Sequence, residues 1–167
     1  MAPQIDHQLL SVYLEDHLAG ATAGLRLFRR TARTHRGTRR GPALTTLSQE
    51  VAEDRRAVLD LMRRTGVRVR RGPLLLAVLG EGASRLKPNR RALLRSPLSD
   101  HLEVEMLSLA VRGKADLWRT LLVLPLAHRE QELAADMLAR AEDQARRLAD
   151  MHDGTARSAL LPQEPRT

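Results

Sequence analysis

Residues 41 to 62 read GPALTTLSQEVAEDRRAVLDLM, and this stretch has the residue spacing of an amphipathic helix. Pro42 suits the first turn of a helix, where a missing N–H costs no hydrogen bond. Gly66 follows the stretch as a helix breaker. Apolar residues recur between them at helical spacing on one face: Leu44, Leu47, Val51, Val58, Leu61 and Met62. The stretch therefore predicts a helix with one buried face.

Three other segments have the same periodicity, and no segment alternates as a strand would. Helix one is predicted from about residue 6 to 33, and it is closed by the breaker-rich stretch HRGTRRG at 35 to 41. Helix three is predicted after Pro97, with Ser99 as a candidate cap, and helix four over about 128 to 153. Four helices of about 26 residues, each about 39 Å long at 1.5 Å per residue, predict an all-α four-helix bundle.

A long connection, residues 66 to 97, joins helices two and three and contains the apolar stretch PLLLAVLG, which is predicted to form a short helix. A connection of this length can run the whole length of a bundle, so that helix three is parallel to helix two, as in ferritin-like proteins. It can instead fold locally and give an up-down topology. We expect the ferritin-like arrangement, with a single domain at 1–155 and a C-terminal tail at 156–167.

Four stretches of the chain resemble a family of small helical proteins of actinobacteria. They are YLEDHLAGATAG, GPALTTLSQEVAEDRRAVLDLM, RLKPN and SPLSDHLEVEMLSLAVRGKADLW, and the resemblance covers about residues 8 to 150. At the level of the fold the pattern also resembles ferritin-like bundles, whose di-metal members carry Glu-x-x-His pairs on two helices. None of the six histidines here has a glutamate three residues before it. A standard di-metal site is therefore not expected.

Each predicted helix places one polar side chain near its apolar face: His17, Asp54, Glu105 and Gln144. Buried polar groups need partners, so these residues predict a hydrogen-bonded polar layer in the core. Which of them meet depends on the connection. A connection that crosses the bundle brings Asp54, Glu105 and Gln144 together beside Glu50, and a local one brings His17 to Glu105 and Gln144. The alternative is a metal site that uses His17, Glu50, Asp54 or Glu105.

The chain is strongly basic, with a formal net charge of +8, yet only two of its 28 basic residues are lysines, Lys87 and Lys114. Such arginine use is typical of a GC-rich genome, and part of it complements helix dipoles. One cluster without an acidic residue lies where helix one ends and predicts, as an alternative, binding of nucleic acid or another polyanion. It consists of Arg29, Arg30, Arg33, Arg36, Arg39 and Arg40.

Helix three is apolar on two sides. The predicted core face is Leu98, Leu102, Leu109, Gly113 and Leu117, and the predicted second apolar stripe is Val104, Leu107, Val111, Trp118 and Leu122. Each apolar side of such a helix must be shielded from water, either by another part of the chain or by a partner. We expect the second stripe to be covered either by the segment 74 to 79 or by another subunit in a homodimer through helix three.

The absence of cysteine excludes disulfides and thiolate chemistry and fits a reducing compartment, so a cytoplasmic location is predicted. No apolar run approaches the roughly 20 residues of a membrane span. The chain also has no Gly-rich phosphate loop after a strand and no nucleophile elbow. These observations predict a non-enzymatic structural or interaction module without a cofactor. The alternatives are a divergent iron or manganese carboxylate protein and a basic adaptor for nucleic acid or another polyanion.

Overall fold

The computed structural model describes residues 4–67 and 96–161, which form four helices and no strand. The helices are α1 (His7–Thr34), α2 (Gly41–Arg64), α3 (Pro97–Leu122) and α4 (His128–Leu160). The predicted all-α fold is confirmed, whereas the short helix predicted around residues 74 to 79 lies outside the described residues. No helix in the described part combines the length and the apolar character needed to cross a membrane.

Two helix ends differ from the sequence-based prediction. Ser96, not Ser99, caps α3, because the Ser96 hydroxyl accepts a hydrogen bond from the backbone N–H of Ser99 at 3.3 Å. Helix α4 continues to Leu160, seven residues past its predicted end, so the predicted tail 156–167 begins with helical residues. Gly154 does not end α4, since Thr155 is buried and hydrogen-bonded to a side chain of α3.

Helices α1 and α3 are antiparallel neighbours. Near the start of α1, the Tyr13 hydroxyl donates to Oγ1 of Thr120, in the last turn of α3, at 2.9 Å. Just after the other end of α1, Nε2 of His35 lies 3.5 Å from a carboxylate oxygen of Glu103, near the start of α3. The two contacts join opposite ends of the helices, so the chain directions oppose each other.

Helices α2 and α4 are also antiparallel. Arg147 of α4 bonds Glu50 in the first half of α2, and Arg64 at the end of α2 lies 3.5 Å from Glu130 at the start of α4. A short turn joins α1 to α2, so these two helices are antiparallel as well. Helices α2 and α3 therefore run in the same direction, and α2 ends at the opposite end of the structure from the start of α3.

The structure buries the predicted second stripe of α3 and exposes most leucines of its predicted core face. Val104, Val111 and Trp118 of the supposed second stripe are at most 1% exposed and pack in the core, with Leu107 beside them and Leu122 partly buried. Of the predicted core face, Leu117 is 2% exposed and packs in the core, whereas Leu98, Leu102 and Leu109 are 46%, 37% and 59% exposed. Both faces are apolar, so periodicity alone could not choose between them.

Trp118 is accordingly covered by the other helices. It belongs to the same core cluster as Leu14 of α1 and Leu61 and Met62 of α2. Trp118 is fully buried within one chain, so a second subunit is not needed to cover it. Coverage by the segment 74 to 79 falls outside the described residues and stays a prediction. Burying the largest side chain of α3 at the helix junction fixes which face of α3 points inward.

Candidate functional site

A polar layer crosses the core and joins three helices. Lys114 of α3 donates from its ammonium group to Oδ2 of Asp54 in α2 and to Oε1 of Gln144 in α4. The Gln144 amide donates to the same Asp54 oxygen at 3.1 Å and to Oε2 of Glu50 at 3.0 Å. Asp54 and Gln144 are 2% and 0% exposed. The centre of the layer is thus buried and hydrogen-bonded, as buried polar groups require.

Two arginines of α4 complete the layer at its solvent-facing side. Arg147 makes a bidentate contact with Glu50, with Nη1 to Oε1 at 3.0 Å and Nη2 to Oε2 at 2.5 Å. Arg140 donates to Oε2 of Glu53 at 2.5 Å, and its Nε lies 3.2 Å from Oδ1 of Asp54. That last contact is an ion pair without hydrogen-bond alignment, since Oδ1 of Asp54 receives no donor. The layer therefore contains three carboxylates and three cations. The carboxylates are those of Glu50, Glu53 and Asp54, and the cations are Lys114, Arg140 and Arg147.

Burial and the neighbouring charges together shift the pKa values of Lys114 and Glu50. Burial lowers the pKa of Lys114, and the adjacent Asp54 carboxylate opposes this shift. Burial by itself would raise the pKa of Glu50, but hydrogen bonds from Arg147 and Gln144, with the arginine charge, outweigh it and lower that pKa. Glu50 is therefore ionised at neutral pH, and its charge is compensated within the layer.

The residues of this layer do not fit the di-metal centre that ferritin-like proteins imply. Such a centre needs carboxylates and imidazoles that face one another across the bundle. Here the ammonium group of Lys114 lies between Asp54 and Gln144, at the point where a metal ion would have to bind. Within the described residues, neither group of side chains that could hold a metal ion includes a residue of this layer. A divalent ion at this place would have to displace a cation that is already compensated.

His17 lies away from the polar layer. Thr22 of α1 accepts a hydrogen bond from Arg55 of α2 at 2.9 Å, so Thr22 lies at the level of Asp54. His17 precedes Thr22 by five residues and lies toward the start of α1. Its half-buried ring packs edge-on against the ring of Tyr13, with centroids 4.5 Å apart, and burial lowers its pKa. The imidazole has no hydrogen bond within the described part of the chain.

Glu105 lies outside the layer as well. It precedes Lys114 by nine residues on α3, about 13 Å along the helix axis at 1.5 Å per residue. Its side chain is 43% exposed and lies beside His101 and His152. Of the four residues predicted to form the layer, the structure brings together Asp54 and Gln144, with Glu50 alongside, and it separates His17 and Glu105 from them.

Sequence reasoning missed Lys114, although two signals pointed to it. It is one of only two lysines in a chain that otherwise uses arginine. It also falls between Val111 and Trp118 at helical spacing, on the stripe that proves to be the core face of α3. Once the faces of α3 are assigned correctly, Lys114 points inward toward Asp54.

The arginine cluster at the end of α1 is mostly exposed. Arg40 is the exception, because its Nη2 donates to Oδ2 of Asp100 at 2.9 Å. Within the described residues no ion pair or hydrogen bond engages the other guanidinium groups, those of Arg29, Arg30, Arg33, Arg36 and Arg39.

Comparison with known protein families, curated proteins and solved structures finds no match to this chain. What the protein does is therefore inferred from the contacts of its own residues.

Proposed function

We propose that this protein is a non-enzymatic structural or interaction module built on a ferritin-like bundle, with an ion-pair layer in place of metal ligands. The contact of Lys114 with Asp54 and Gln144 carries this proposal. A lysine fixed between an aspartate and a glutamine at the middle of the core joins three helices. Because Lys114 occupies the centre of the layer, the carboxylates there are engaged in ion pairs and are not free to act in catalysis.

The directions of the helices support the ferritin-like part of the proposal. Neighbouring helices are antiparallel, and α2 and α3 run in the same direction, as they do when one long connection crosses a bundle. The sequence resemblance to small actinobacterial proteins and the absence of cysteine lead us to place the module in the cytoplasm of such a bacterium.

Metal titration of the wild type and of Asp54→Asn tests the proposal. We expect the two proteins to bind the same number of iron or manganese ions per chain under anaerobic conditions at neutral pH, because Asp54 is engaged by Lys114. Glu50→Gln should behave in the same way. Two ions per chain in the wild type that are lost in both variants would identify the interior as a metal centre and overturn the proposal.

The exposed leucines of α3 support the proposal that this protein is an interaction module. Leu98, Leu102 and Leu109 lie on one face within twelve residues, a strip about 16 Å long at 1.5 Å per residue. A narrow strip on one helix is self-complementary, because two copies related by a twofold axis can pack the same residues against each other. We therefore propose a homodimer through this face of α3.

Sedimentation equilibrium tests the dimer. The wild type should sediment as a dimer, and Leu109→Glu should be monomeric with unchanged helix content. Val123→Glu is a matched control, since Val123 is 81% exposed at the end of α3 and away from the strip. A monomeric wild type at high concentration, or a dimer that Leu109→Glu leaves intact, would contradict the interface.

The arginine cluster favours a second candidate function, binding of nucleic acid or another polyanion. Five exposed guanidinium groups without ion pairs in the described residues offer several phosphate contacts, each of which adds to the salt dependence of binding. Fluorescence anisotropy with duplex DNA over a salt series should show weaker binding and a smaller salt slope for Arg29→Gln/Arg33→Gln than for the control Arg112→Gln. Identical curves for the two proteins would exclude this function for the cluster.

A further inference from the structure

A second group of polar residues lies between α3 and α4, apart from the interior layer. His101 and Glu105 are one turn apart on α3, and His152 faces them from α4. Oε1 of Glu105 lies 3.4 Å from Nε2 of His101 and 3.6 Å from Nε2 of His152. The two imidazole rings are close together, with centroids 4.6 Å apart at an angle of 47°. All three ligand atoms lie within 4.8 Å of one another.

A hydrogen-bond chain determines which nitrogen of His101 carries the proton. The hydroxyl of Thr155 donates to the backbone carbonyl of His152 at 2.9 Å, so its single proton is already used. Nδ1 of His101, 3.1 Å from the same hydroxyl oxygen, must therefore be the donor in that contact. In the neutral ring, Nε2 of His101 is then a lone-pair acceptor, and it points at the carboxylate of Glu105.

His152 has a similar arrangement on its outer side. Its Nδ1 lies 3.5 Å from a carboxylate oxygen of Asp153, an acceptor for an Nδ1 proton. Its Nε2 then faces Glu105 as a second acceptor. A hydroxyl or carboxylate behind the non-coordinating nitrogen is the usual support of a histidine metal ligand, because it fixes the tautomer and the orientation of the ring.

We propose that His101, Glu105 and His152 bind one divalent transition-metal ion of the zinc type, through Nε2 of each histidine and Oε1 of the glutamate. Three acceptor atoms that face one another are stabilised by a cation between them, and a divalent metal ion can be bound by all three at once. Metal–ligand bonds of about 2.1 Å in a tetrahedral site place neighbouring ligand atoms about 3.4 Å apart, close to the two distances found here.

The ligand set and its exposure define the kind of site. Two imidazole nitrogens with one carboxylate oxygen suit zinc and similar transition metals, whereas magnesium and calcium prefer oxygen ligands alone. Glu105 and His152 are 43% and 40% exposed, so the fourth position faces solvent and takes water. His101 is buried beneath them. The ion would join α3 to the last part of α4, and this site is independent of the interior layer.

Competition titration with a chromophoric zinc chelator at pH 7.5, on untagged protein, tests the proposal. We expect one zinc ion per wild-type chain, and at least a 100-fold loss of affinity in His152→Ala and in Glu105→Gln. Excess magnesium should not displace the zinc. His128→Ala is the matched control, because His128 forms the same i, i+4 contact with Glu132, at 3.3 Å, on an exposed surface.

Thr155→Val tests the hydrogen-bond chain behind His101. Loss of a supporting contact behind a metal ligand lowers metal affinity by about 10- to 100-fold, and we expect a decrease in that range while the stoichiometry remains one. His152→Ala changes an exposed residue, so its result does not depend on the folding of a core variant. Absence of zinc binding by the wild type, or equal affinity in His152→Ala and His128→Ala, would overturn the proposal.

Discussion

Replacing Lys114 by methionine is the most direct perturbation of the interior layer. Methionine keeps the unbranched chain and much of the volume of lysine but has no charge and no donor. The change removes the ammonium group from Asp54, which is 2% exposed, and from Gln144, which is fully buried. Two hydrogen bonds are lost at once, and one buried carboxylate loses its closest cation.

The cost follows from what remains around Asp54. Removing one partner of a buried ion pair typically costs about 3 to 5 kcal/mol. Arg140 stays 3.2 Å from Oδ1 of Asp54, and the Gln144 amide still donates to Oδ2, so the carboxylate is not left alone. We therefore expect Lys114→Met to lower the free energy of unfolding by the lower value, about 3 kcal/mol.

Urea denaturation at pH 7, followed by circular dichroism, measures this change. With m-values of about 1 to 3 kcal/mol/M, the midpoint should fall by about 1 to 3 M. A double-mutant cycle with Asp54→Asn isolates the pair, because removing both charges should cost less than the sum of the single changes by about 2 kcal/mol. Arg146→Met is the control, since Arg146 is 70% exposed in a local surface pair, and its midpoint should match the wild type.

Two results would refute the reasoning. A midpoint of Lys114→Met equal to that of the Arg146→Met control would show that the ammonium group does not stabilise the core. If the free-energy changes of the two single variants add strictly in the double variant, Lys114 and Asp54 do not interact. The central contact assigned to the ion-pair layer would then be refuted.

Three other changes have defined expectations. Trp118→Ala should cost about 3 to 5 kcal/mol in urea denaturation, and the wild-type indole should emit to the blue and resist acrylamide; red-shifted emission would contradict its burial. Because burial lowers the pKa of His17, the unfolded state binds the proton more readily, so stability is complete above about pH 6.5 and falls as the pH falls below it. His17→Gln should therefore flatten the decline of the thermal midpoint between pH 7 and 5, and an unchanged slope would exclude this contribution. In Gly41→Ala the new Cβ would lie 2.6 and 2.8 Å from two backbone carbonyl oxygens, which should cost about 1 to 3 kcal/mol, while Gly113→Ala, with open space, should not destabilise the protein.

The sequence by itself determined the class of the fold and most helix ends. Apolar residues at helical spacing and the breakers around Gly37, Gly41 and Gly66 are local signals, and they located α1 and α2 to within about two residues. The end of α4 was missed because Thr155 is held by a contact with another helix, and no local signal encodes that contact.

Only the tertiary structure decided the directions of α2 and α3 and the inward face of α3. Both faces of α3 carry apolar side chains, so the choice depended on which one could bury Trp118 against α1 and α2. That choice turned Lys114 inward to Asp54 and left Glu105 beside His101 and His152. Periodicity gives the angle of a side chain around its own helix, but the partner that it meets depends on the register and direction of the neighbouring helix, and these are set by packing over the whole core.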